Sequence, residues 1–177
     1  VYQPKYGARS GQLIGAEALV RWRSPSRGVV EPLAFIGIAE ETGLIIALGE
    51  WVIRESCRQI AQWRDQHGLS VAVAINISAL HLRQHSLAHV LREAITRYAI
   101  DPRLLEIEIT EDCLDFRDDN EVPYAVLTSL AELGLSIAID DFGTGYSSLS
   151  QLKEMPISTL KIDRSFVCDI ATCDSDY

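Results

Sequence analysis

An α/β fold, with a parallel sheet covered by helices, is predicted by two features of the sequence. From residue 71 onward short β-branched runs alternate with amphipathic helical stretches. Glycines at Gly43, Gly68 and Gly134 stand where helical runs should stop. On that pattern alone, a doubly wound open sheet and a closed β/α barrel both remain possible.

In chain order, Val1–Lys5 is short and extended. A turn near Arg9–Gly11 leads into Leu13–Arg23, read as one strand. The run Ser24–Gly28, S-P-S-R-G, is a loop by its proline and glycine. Leu33–Glu41 reads as a short helix, and Leu48–His67 as a long one with Trp51, Val52, Cys57, Ile60, Ala61 and Trp63 at helical spacing. Strands are expected at 71–76, 104–110, 136–140 and 159–163, with helices at Leu87–Tyr98, Tyr124–Leu133 and Ser148–Lys153. No linker or low-complexity tract interrupts the 177 residues, which read as one domain, 1–177.

Apolar content of 47% and a net charge of −9 describe an ordinary globular chain. The acidity argues against nonspecific binding to DNA or to an anionic membrane. No signal peptide opens the chain, and no apolar run reaches the ~20 residues of a membrane span. Cys57, Cys113, Cys168 and Cys173 form no C-x-x-C pair and read as reduced thiols of a cytoplasmic chain.

Each predicted strand carries a polar group: Gln3, Glu17, Asn76, Glu108, Asp140 and Lys161. The intervals from Asn76 to Glu108 and from Glu108 to Asp140 are both 32 residues, about one βα unit. In a barrel these groups would meet at the C-terminal rim of the strands. Carboxylate and amide oxygens suit hard divalent cations such as Mg²⁺ or Mn²⁺, which also make the adjacent Asp140 and Asp141 tolerable. Both aspartates reach one site only if Asp141 lies past the strand, where Gly143 and Gly145 allow the backbone to turn. His81, His85 and His89 share a helical spacing but read as a solvated face. Trp22, Trp51 and Trp63 read as packing residues. The run D-F-R-D-D-N-E (115–121) reads as an exposed acidic loop.

Five motifs, G-A-E-A-L-V-R-W (15–22), N-I-S (76–78), E-I-T-E (108–111), D-D-F-G-T-G-Y-S-S-L (140–149) and L-K-I-D-R-S-F-V (160–167), resemble those of the EAL domains, bacterial phosphodiesterases that hydrolyse cyclic di-GMP. Y-Q-P (2–4) and A-E-E-T-G (39–43) match as well. The resemblance implies a TIM-like β/α barrel and hydrolysis to linear pGpG by water acidified between two divalent cations. It implies Glu17, Asn76, Glu108 and Asp140 as ligands of a first metal, Asp140 and Asp141 of a second. Lys161 would lie near the attacking water, so that Lys161, Glu17 and Asp141 carry catalysis. Gln3, Leu19 and Arg21 would contact the dinucleotide, and Glu111 would steady the D-D-F-G loop. A homodimer is implied, as is fusion to GGDEF or sensor domains in a parent protein that can itself be membrane-anchored. The alternative is a receptor that binds cyclic di-GMP without cleaving it.

A complete barrel has eight strands and about 250 residues. Six strands are counted here, so the barrel is expected to be incomplete, about six of eight βα units. The family's later A-E-G-V-E motif and final Q-G segment are absent from these residues. The expectation is a longer molecule, or a second chain that supplies the rest.

Overall fold

A computed structural model describes residues 1–114, 122–144 and 152–168. A six-stranded sheet runs β1 (Tyr2–Tyr6), β2 (Leu13–Ala18), β5 (Ala72–Asn76), β6 (Leu105–Thr110), β7 (Ser136–Phe142) and β8 (Thr159–Ile162), in that spatial order. From β2 to β8 every neighbouring pair is parallel. The first pair departs from the expected parallel alternation: β1 lies antiparallel to β2, because the short Gly7–Gln12 connection can only make a hairpin.

The two faces of this sheet differ in chemistry. Val73, Ile75, Ile107, Ile109, Ile137 and Ile139 point outward and are buried under helices α2 (Leu44–His67), α4 (Leu87–Tyr98) and α5 (Val122–Glu132). Burial of each such aliphatic side chain stabilises the fold by roughly 1.5–3 kcal/mol. The alternate residues, which share a face by cross-strand register, are Gln3, Lys5, Glu17, Ala74, Asn76, Glu106, Glu108, Ala138, Asp140 and Lys161. Hydrophobic burial therefore lies on the helix side, and the inner face is left to small and charged groups.

Several boundaries differ from the sequence expectation. The predicted strand Leu13–Arg23 is two elements. β2 stops at Ala18, and β3 (Trp22–Ser24) pairs with β4 (Gly28–Val30) in a separate hairpin closed at Gly28, whose φ is 70°. The residues between, Leu19–Arg21, leave the sheet at its C-terminal rim. α1 covers Ile36–Glu41, and α2 begins at Leu44, just past the left-handed Gly43. It ends at the left-handed Gly68, whose amide satisfies the Arg64 carbonyl.

The three histidines do not share a helix face. α3 (Ala79–Leu82) ends before His85, and α4 starts after Ser86. His81 is 1% exposed, in the core rather than on a solvated face. Its ring lies so close to α2 that a Cβ on Gly49 would stand only 2.4 Å from Nδ1. Burial pushes the His81 imidazole below its ordinary pKa, against the pull of Glu50. Trp63 packs on Tyr2 as expected, ring centroids 5.0 Å apart. Trp22, 47% exposed, packs edge-on against Phe35 outside the core, and Trp51, 56% exposed, is a surface residue instead. Residues 115–121, Gly145, Cys173 and most of the predicted helix Ser148–Lys153 lie outside the described residues.

Candidate metal centre and active site

Five of the sheet's strands deliver the central polar groups. Glu17 comes from β2, Glu108 from β6 and Asp140 from β7, and one carboxylate oxygen of each lies within 4.8 Å of the others. Lys161 of β8 sits among them, its Nζ 2.8 Å from Asp140 Oδ2, 2.9 Å from Glu108 Oε2 and 3.4 Å from Glu17 Oε2. Asn76, from β5, donates its amide N–H to Glu17 Oε1 at 3.0 Å. Residues up to 144 positions apart in sequence thus form one constellation.

Glu108 is fully buried. Burial pushes its carboxyl above the ordinary value, while the ammonium groups of Lys5 and Lys161 pull it down. Its Oε2 faces Lys161 but makes no directed hydrogen bond among the described residues. For Lys161 burial alone would lower the pKa, but Asp140 and Glu108 outweigh it and raise the value well above the ordinary lysine range. A dry carboxylate oxygen without a directed donor, beside two further carboxylates, is a donor set that fits a hard divalent cation.

Asp141 departs from the sequence expectation in its placement. β7 continues through Asp141 to Phe142 rather than ending at Asp140. The bend is made inside the strand: Asp141 is left-handed, φ 52°, and the β7–β8 register shifts between Ile139 and Phe142. Asp is among the few residues with a side chain that tolerate this conformation. The Asp141 amide donates to Asp140 Oδ1 at 3.0 Å. Asp141 is exposed at the edge of the cluster, and its carboxyl is raised by partial burial and then by the charges of Asp140 and Asp163.

Gln3 is the cross-strand partner of Glu17 and is exposed on the same face. Glu111, just past β6, is buried and accepts the Gly143 N–H at 3.0 Å, which fastens the turn after β7. Leu19 and Arg21 do not join the carboxylates. Leu19 lines an apolar cavity of about 320 Å³ that Asn76 and His81 also border. Arg21 pairs with Glu31 at 3.1 Å and donates to the Val20 carbonyl. Sequence reasoning passed over Lys5 and Glu106, which extend the network inward. Lys5 Nζ lies 2.8 Å from Glu106 Oε1 and 2.9 Å from Glu108 Oε1. Their signal was present, since Lys5 follows Gln3 and Glu106 precedes Glu108 by two residues, the period of one strand face.

No helix among the described residues is long and apolar enough to cross a membrane. A family model described as EAL domain matches residues 1–177. The bifunctional diguanylate cyclase/cyclic di-GMP phosphodiesterase MucR of Pseudomonas aeruginosa is 44% identical over 175 residues, which are 99% of this chain and 25% of that protein. The cyclic di-GMP phosphodiesterase PdeR of Escherichia coli is 45% identical over 169 residues, 96% of this chain and 25% of that protein. This chain therefore spans about a quarter of the length of these curated relatives. The solved structure of the PaMucR phosphodiesterase in complex with c-di-GMP matches with a TM-score of 0.90 at 43% identity, over 99% of this chain and 70% of that one. The sheet thus corresponds to an incomplete TIM-like barrel, and the chain belongs to the EAL domain family.

Proposed function

We propose that this chain hydrolyses cyclic di-GMP to linear pGpG with the help of Mg²⁺ or Mn²⁺. The observation that carries the proposal is the convergence of Glu17, Glu108 and Asp140, from three separate strands, within 4.8 Å. The named activities of MucR and PdeR, relatives that match nearly the whole chain, support the same reaction class.

Glu17, Asn76, Glu108 and Asp140 would hold one cation, and Asp140 with Asp141 a second. When bound, such cations supply an acidified water and stabilise charge on the phosphoryl oxygens. The chain's own residues set the stage. The Asn76 amide N–H fixes the orientation of the Glu17 carboxylate. The Lys161 ammonium places positive charge beside the reacting phosphoryl group, the type of electrostatic preorganisation that lowers such barriers. Glu111 holds the Gly143 amide, and with it the end of β7 that carries Asp141. Gln3, Leu19 and Arg21, on the rim beside Glu17, would orient the dinucleotide, with Arg21 exchanging Glu31 for a phosphodiester oxygen.

We further propose a homodimer, located in the cytoplasm and joined to a GGDEF or sensor module, as the bifunctional name of MucR suggests for that relative. The test is chromatography of cyclic di-GMP incubated with the full-length protein, with and without Mg²⁺ or Mn²⁺. Linear pGpG is expected only with metal, and Glu17→Ala abolishes it. Calorimetric binding without turnover would make the chain a receptor, and equal turnover by Glu17→Ala would overturn the ligand assignment.

A further inference from the structure

Lys5 and Glu106 lie on the inner face beside the carboxylate cluster, with no role yet in the proposed reaction. Lys5 sits on edge strand β1, opposite Gly15, which has no side chain to occupy the space beside it. Its ammonium is gripped from two sides, by Glu106 Oε1 at 2.8 Å and Glu108 Oε1 at 2.9 Å. Glu108 is the one carboxylate of the cluster with no solvent exposure, so water cannot orient it. One of its oxygens is committed to Lys5, and the other faces Lys161, whose ammonium also meets the carboxylates of Glu17 and Asp140.

We propose that Lys5 is a positioning residue of the cation site: it fastens Oε1 of Glu108 so that only Oε2 is offered to a divalent cation. This rests on the metal-dependent function proposed above. A buried carboxylate can rotate and present both oxygens, one or neither. A donor fixed on one oxygen selects a single-oxygen geometry in advance, as partners behind metal-binding side chains do. Glu106, in turn, holds Lys5 in that place.

Two roles for Lys5 predict opposite signs. A cation close to the site repels a dication, so if Lys5 acted by charge alone, its removal would tighten cation binding. If it acts by orienting Glu108, its removal weakens binding. The experiment is Mn²⁺ titration of the full-length protein, followed by the electron paramagnetic resonance of free Mn²⁺, with Glu17→Ala as the baseline. Lys5→Met is expected to bind Mn²⁺ about 10–100-fold more weakly than wild type. Glu106→Gln keeps an acceptor for Lys5 and leaves its bond to Glu108, so its affinity stays close to wild type.

Equal or tighter binding by folded Lys5→Met overturns the inference, as does a loss in Glu106→Gln as large as that in Lys5→Met. If circular dichroism shows Lys5→Met unfolded, Lys5→Gln, uncharged and too short to reach both carboxylates, is judged by the same criterion. Wild-type protein that binds no Mn²⁺ above the baseline overturns the cation site itself, and this inference with it.

Discussion

Asn76 and Glu17 are 59 positions apart in sequence, yet the amide of one donates to the carboxylate of the other at 3.0 Å. The bond joins the C-terminal ends of β2 and β5, adjacent parallel strands whose register puts Glu17 beside Ala74 and Asn76 one step further on the same face. It leaves Glu17 Oε2 turned toward Lys161.

Removing that bond should separate chemistry from stability. Asn76 is exposed, so Asn76→Ala should lower folding stability by less than about 1.5 kcal/mol. Metal affinity or phosphodiesterase activity should fall about 10–100-fold. Denaturant unfolding and Mn²⁺ titration on the same samples check the two halves.

The turn after β7 is fastened by the Glu111 carboxylate on the Gly143 amide and by the Phe166 ring over Gly143. Gly143 has φ 104°, and a Cβ there would stand 2.7 Å from Phe166 Cε2. The exposed ring can move aside, but the backbone conformation stays strained for any L side chain. Gly143→Ala should cost about 1–2 kcal/mol in thermal or chemical unfolding. Gly143→Ala/Phe166→Ala should retain most of that cost, because the strain is in the backbone.

Lys161 links stability to pH. Burial favours its neutral form, but Asp140 and Glu108 favour the ammonium more strongly, so the folded pKa lies above the unfolded one. A raised lysine stabilises fully below about 10.4 and loses that contribution as pH rises through the folded value. Metal-free protein should therefore lose stability above pH ~10, and Lys161→Met should flatten part of this fall. Lys5, also raised once its carboxylate partners overcome burial, accounts for another part with the same sign. At neutral pH Lys161→Met should destabilise by up to about 3 kcal/mol, since it strands buried Glu108 with Lys5 alone. Unfolding curves at several pH values read all three effects.

Thiol reactivity should follow burial. Cys57 is fully buried, and desolvation pushes its thiol up to about 12. Cys113 is buried and raised by the same cause. The thiolate is the reactive form, so at pH ~8 neither should react with iodoacetamide in the native protein. Exposed Cys168 should react. Peptide mass spectrometry after native and denatured labelling distinguishes the two groups.

Glu108 and Asp140 were legible because, with Asn76, they fall at intervals of 32 residues in apolar strands, and Glu17 because it stands in the G-A-E-A-L-V-R-W motif. The period that places Lys5 and Glu106 on the same face was there to read but did not decide their role, since a charged residue two places from another in a strand reads equally well as a solvated face. Only the curvature and register of the sheet reveal that this face is the inside. The end of β2 at Ala18 was hidden because Leu19, Val20 and Trp22 are good strand formers that continue the run. Asp141 was expected beyond its strand, whereas a bulge turns the chain within it. His81 was misplaced because spacing of four suggests one helix, and the break at Arg83–Ser86 carries no proline to announce it.

The split between an aliphatic outer face and a charged inner face has an evolutionary consequence. Substitutions among Val73, Ile75, Ile107 and Ile137 change how firmly the protein holds together, and neighbours one position away change what it can react with. Robustness and chemistry are thereby written on alternate letters of the same strands. Selection can tune the packing of the outer face while barely disturbing the chemistry of the inner one.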